Sequence, residues 1–174
     1  MSKRALKKYL NTLEKEQLEE QLLDLYDRFK PVQVYYNFVF NPKEDKLVEE
    51  AKFKIGKEYF PAGRRKPKAR RSVAQKHIKH FLTLGVEPAL VADIMLYNLE
   101  IAQTYCARKP VRQDSFYQSM LNSFEQAVTY LKAEGILTDF KPRIAAILEA
   151  TYQQEWLNTE GFDRVWDEVA PTDF

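Results

Sequence analysis

Apolar residues recur along this chain at spacings of three and four over almost its whole length, the period of helices laid against a core. Leu6, Tyr9, Leu10 and Leu13 predict a short first helix that Ser2 can cap. Leu18, Leu22, Leu25, Tyr26 and Phe29 predict a second over about residues 14–29, ended by Lys30-Pro31. The stretch Val32 to Phe40 is β-branched and aromatic but has no partner strand in the sequence, so a short helix or an extended buried segment is expected. Asn41-Pro42-Lys43-Glu44 reads as a helix start, with Asn41 as cap and Glu44 as its capping-box partner. Leu47, Val48, Ala51, Ile55, Tyr59 and Phe60 follow on one side, until Pro61-Ala62-Gly63 breaks the pattern.

Helix resumes near Ser72, read as its cap, and stops at Gly85. Glu87-Pro88 opens a long helix to about Cys106, whose apolar arc is wide enough for a central, buried position. Two more are predicted over about 114–134 and from Asp139 to Trp156, and Gly161 precedes a last short one. No repeat of 20–50 residues is present. The pattern predicts an all-α fold, a single compact multi-helix bundle or helical array over 1–174, with a basic loop at about 61–71.

Composition excludes several classes. At 174 residues the chain can bury enough surface to fold without staples. Its single cysteine, Cys106, rules out a disulfide framework or a CxxC pair and suits a reducing cytoplasm. The first eight residues carry four cations and no apolar stretch follows, unlike a signal peptide. No window approaches a membrane helix.

Charge changes the picture more. Residues 1–80 hold 20 Lys and Arg against 11 Asp and Glu, a balance of +9, and the remainder of the chain stands at −7. Eight cations with no acid among them occupy positions 64–79: Arg64, Arg65, Lys66, Lys68, Arg70, Arg71, Lys76 and Lys79. Such self-repulsion calls for an anion nearby. Arginines donate bidentate bonds to phosphate, and Pro67 keeps the run extended. Nearby Tyr35, Tyr36, Phe38, Phe40, Tyr59 and Phe60 offer rings on which bases stack, although their spacing among aliphatic residues places most of them in the core. The first two helices, basic then acidic, share the outline of small helix–extension–helix nucleic-acid modules. Docking of an acidic protein surface, and a solvated loop without a ligand, are the competing readings.

Catalytic motifs are missing: there is no GxGxxG, P-loop, GxSxG, HExxH or Glu-x-x-His. His77 and His80, three apart, together with Asp93 and Glu100 on the next long helix, form the only constellation for a metal, and Lys76 and Lys79 oppose a cation there. Pairing of Asp93 and Glu100 with Arg70, Arg71, Lys76 or Lys79 is the expected alternative. A Cys106–histidine pair is conceivable, but a buried, inert thiol is expected.

The phrases Ser2-Lys3-Arg4-Ala5-Leu6-Lys7-Lys8-Tyr9-Leu10, Asn41-Pro42-Lys43-Glu44-Asp45-Lys46-Leu47, Arg71 to Phe81 and Tyr97 to Thr104 resemble a domain-of-unknown-function family of Bacteroidetes-type bacteria. The resemblance implies a stand-alone bacterial cytoplasmic domain and brings no activity, cofactor or catalytic residue. The expectation is therefore a binding module without a cofactor. It contacts nucleic-acid phosphates through the basic run, or else serves as a protein-interaction or self-associating scaffold whose basic half docks an acidic partner.

Overall fold

A computed structural model describes residues 2–170. Nine helices follow one another among the described residues: α1 (Lys3–Leu10), α2 (Lys15–Arg28), α3 (Lys30–Phe40), α4 (Glu44–Tyr59), α5 (Arg71–Leu84), α6 (Pro88–Arg108), α7 (Asp114–Ala133), α8 (Leu137–Gln153) and α9 (Thr159–Val169). The all-α expectation holds. The chain groups into two compact units, one ending at Lys43 and the other beginning at Glu44.

In the first unit the Ser2 hydroxyl accepts the Ala5 N–H at 3.2 Å, as a cap should. A capping box of Glu14 with Gln17 starts α2. Phe29 then leaves helical geometry, and Pro31 falls in the first turn of α3, where its missing N–H costs nothing. Residues 32–40 are thus helical, and they are not core. None of α1, α2 or α3 contributes a buried residue, and Phe40 is 82% exposed. Tyr36 stacks on Phe40 and meets the Tyr35 ring edge-on, with Tyr26 beside it. The core assignment fails for Tyr35 and Phe40, though Tyr59 is buried as expected, because hydrophobic spacing identifies a face without saying what covers it.

The second unit is built around α6, which buries Val91, Ala92, Ile94, Met95, Leu96, Leu99 and Ala102, so apolar side chains point nearly all round. Helices α4, α5, α7 and α8 pack against it. Each fully buried Leu, Ile or Phe in this layer contributes about 1.5–3 kcal/mol; shortening one such as Leu96 to Ala costs about 2–5 kcal/mol. Gly161 lies inside α9, not before it. A Cβ there would sit 2.7 Å from Leu121 Cδ2, so the glycine lets α9 approach α7 closely.

Two predicted caps are reassigned. Asn41 closes α3 rather than starting α4, and Glu44 opens α4 and reaches across to accept the Glu87 N–H at 3.1 Å. A carboxylate there satisfies an orphan donor at the start of α6. Arg70, not Ser72, is the N-cap of α5, and its side chain makes no cap bond. Gly85, with φ +73°, ends α5 as expected.

Candidate functional site: a lysine-rich groove between two helices

Helix α4 turns one face to α6 through Ile55 and Tyr59 and leaves Lys54 and Lys57 outside, three residues apart and therefore adjacent. At its end the chain passes through Pro61 and Gly63, whose φ of +69° makes the reversal available to glycine at little cost. Residues 64–70 then return along α4. The return is fixed at Glu58, whose carbonyl accepts the N–H groups of Lys68 and Ala69 at 2.9 and 3.0 Å. Its carboxylate takes the fork of Arg70, Nε at 2.8 Å and Nη2 at 2.9 Å. Those bonds hold the Glu58 carboxyl below the usual carboxylate range, against an opposing effect of burial. Ala69 adopts a left-handed backbone, φ +47°, to complete the clasp.

Between the returning loop and α4–α5 lies an open groove of about 1400 Å³. Lys54, Lys57, Arg65, Lys66, Lys68 and Lys76 line it, together with Arg70, and Glu58 is the only carboxylate in the lining among the described residues. With Glu58 neutralised by Arg70, six cations are left facing one concavity. His77 stands among them. Burial lowers its pKa, and Lys54, His80 and Lys76 push it further down, so it is neutral at pH 7. The first turn of α5 also opens here through Ser72 and Val73.

Of the eight cations singled out in the sequence, Arg65, Lys66, Lys68, Arg70 and Lys76 line this groove. Arg64 and Lys79 are exposed outside the lining. Arg71 turns the other way: its Nε donates to Ser123 Oγ at 2.7 Å and its Nη2 to Gln126 Oε1 at 3.2 Å, on α7. Its partners are neutral, and burial lowers its pKa. Lys54, Lys57 and Glu58 were not singled out. Their signal was present, as polar positions on the outer side of a helix whose inner side is Ile55 and Tyr59, but it becomes a site only through the returning loop.

The acidic side chains of α6 have other partners than expected. Arg143 of α8 donates to Asp93 Oδ1 at 2.7 Å and through Nε and Nη2 to the two oxygens of Glu100, at 2.5 and 2.8 Å. Lys52 of α4 holds Asp93 Oδ2 at 2.7 Å and lies over the Tyr97 ring. Pairing with Arg70, Arg71, Lys76 or Lys79 is therefore corrected: Arg70 is engaged by Glu58, Arg71 by α7, and α8 brings its own arginine to this face. Burial alone would lower the Arg143 pKa, but its bonds to Glu100 and Asp93 outweigh that and raise it.

The metal constellation is not assembled. Among the described residues no group of three or more His, Cys, Asp or Glu is placed to hold an ion, and Asp93 and Glu100 are engaged by Arg143. Cys106 is buried, and burial pushes its thiol up to about 11. It offers no thiolate nucleophile. A second depression of about 690 Å³, where α9 begins beside α7, is lined by Gln118, Trp156, Asn158 and Arg164 and gathers no comparable charge. No helix among the described residues is long and apolar enough to cross a membrane.

Fold and groove together define an all-α protein with a concave, lysine-dominated face clasped by one carboxylate. The chain belongs to a family of unknown function, DUF6155, which it matches over residues 1–170. No curated protein and no solved structure matches it.

Proposed function

We propose that this protein is a bacterial cytoplasmic binding module that engages nucleic-acid phosphates through the groove between α4, the returning loop and α5. The observation that carries this reading is the convergence of Lys54, Lys57, Arg65, Lys66, Lys68 and Lys76 on one open concavity whose one carboxylate among the described residues is already occupied by Arg70. Like charges held side by side repel, and a phosphate chain relieves them by displacing its own condensed counterions. Arg64, Lys79 and Arg71 lie outside the groove and are not needed for it.

Fluorescence anisotropy of labelled single-stranded oligonucleotides between about 50 and 200 mM salt tests the reading. Six phosphate contacts give a log–log salt slope of about −4 for a single strand, a loss of roughly 250-fold over that range. A variant carrying Lys54→Ala, Lys57→Ala, Lys66→Ala and Lys68→Ala should lose most of the affinity and most of the slope while melting as the parent does. Absence of binding at 50 mM salt would end the proposal.

A second reading, an interaction scaffold, is supported by the exposed Leu22, Leu23, Leu25, Phe29, Val39 and Phe40 of the first unit. Light scattering with size exclusion checks it: self-association that persists in high salt and is lost in Leu22→Glu favours this reading over an electrostatic one.

A further inference from the structure

We infer that the groove reads the phosphate chain alone, so that linear inorganic polyphosphate is a ligand of the same cations that hold single-stranded nucleic acid. This inference rests on the phosphate reading of the groove and narrows it to a ligand class.

Recognising a base takes either a ring to stack on or a matched set of donors and acceptors for its edge. Apart from the ring of His77, the lining provides neither among the described residues. No aromatic residue other than His77 lines the groove among the described residues. Tyr59 is buried against Tyr105, and Phe60 is packed between the Tyr105 ring and the Arg108 guanidinium. Phe53 lies outside the lining and is exposed, with the Lys57 ammonium 4.1 Å from its centroid. His77 presents its ring to Phe81 at 6.5 Å.

The polar inventory points the same way. Among the described residues the lining contains no Asn or Gln, and both kinds of acceptor on Glu58 are engaged, the carboxylate by Arg70 and the carbonyl by Lys68 and Ala69. Five of the six available cations are lysines. A lysine ammonium is a flexible point charge that follows negative charge without imposing orientation, whereas arginine's planar fork enforces geometry. The fork most firmly placed at the groove, that of Arg70, is closed by Glu58. What is left is a row of donors matched to a chain of phosphates, with Ser72 at the start of α5 in the same lining; the Val73 N–H is already bonded to the Arg70 carbonyl at 3.2 Å.

Competition with the full-length protein tests this. Labelled oligo-dT is bound at 50 mM salt and displaced by unlabelled oligo-dT, by oligo-dA, by inorganic polyphosphate of similar phosphate count, and by orthophosphate. Polyphosphate should displace the label at a phosphate concentration within about threefold of oligo-dT, and oligo-dA should match oligo-dT within about threefold, because charge alone sets affinity. The Lys54, Lys57, Lys66 and Lys68 to Ala variant should lose oligonucleotide and polyphosphate together. Failure of polyphosphate to compete in large excess overturns the inference, as does a preference of more than about tenfold between the oligonucleotides, the mark of base contacts; in both cases the broader nucleic-acid reading survives. No binding of the labelled oligonucleotide overturns that broader reading instead, and direct titration calorimetry with polyphosphate then decides the inference: heat of binding that the variant lacks supports it, and none overturns it.

Discussion

Arg143 grips both ends of one stretch of α6: its guanidinium bonds Asp93 Oδ1 at 2.7 Å and, with its other edge, the carboxylate of Glu100. The two acids lie two turns apart on one face, and a planar fork is the side chain that spans them. Replacing Arg143 by Met leaves Glu100 without its partner and Asp93 with Lys52 alone. Because the cluster is only partly shielded, with Arg143 28% exposed, the cost should be about 2 kcal/mol rather than that of a fully buried pair. Thermal denaturation should show a fall of roughly 4–8 °C. A melting temperature within a degree of the parent would show that α8 docks without this contact.

Glu58 should matter little for global stability and greatly for the loop. In Glu58→Ala the Arg70 fork is lost while the carbonyl bonds to Lys68 and Ala69 can persist. Limited digestion with trypsin, which cuts after Lys and Arg, reads this directly. Cleavage within 64–70 should accelerate several-fold with the melting curve nearly unchanged. An unaltered cleavage rate would show that the backbone bonds suffice.

His77 makes stability depend on pH. Its folded pKa lies below the usual value of about 6.5, so the unfolded chain takes up the proton more readily. Its contribution is complete above pH 6.5 and is lost as the pH falls from 6.5 to the lower folded value. His77→Gln should therefore lose less stability than the parent between pH 7.5 and 5. A bound polyanion offsets the Lys54 and Lys76 field, so ligand binding should tighten on acidification in the parent and more weakly in the variant. Identical pH profiles would remove His77 from the groove's electrostatics.

Gly161 sets the approach of α9 to α7. A methyl group added there meets Leu121 at 2.7 Å, and Gly161→Ala should destabilise by about 1–3 kcal/mol. Shortening Leu121 in the same molecule should recover part of that loss, since the two side chains contend for one space. Additive losses would place the cost elsewhere.

How far the sequence carried this result differs between helices and contacts. Spacing of apolar residues located α2, α6 and α7 within a residue or two, because burial on one face is a local property of the chain. The partner of an exposed face is not local. Tyr35 and Phe40 have core composition and a helical period, yet they are exposed. Asp93 and Glu100 were recognisable as acids needing cations, but Arg143 is 50 and 43 residues away, and only the packing of α8 on α6 selects it over Arg70 or Arg71. The basic run was legible as charge. That Lys54 and Lys57 join it, and that Arg71 leaves it, follows from Glu58 folding the loop back. A carboxylate at the end of a lysine-rich helix gives no hint of that role.

An anion site in the groove, as proposed, would tie the stability of the fold to the salt around it. Six cations line one concavity, and an anion held among them should stabilise the fold. On the phosphate reading of the groove, phosphate or polyphosphate at 100 times its dissociation constant should add about 2.7 kcal/mol to stability. Thermal stability and site occupancy become one measurement, and a series of melting curves in chloride, phosphate and polyphosphate titrates the groove without any label.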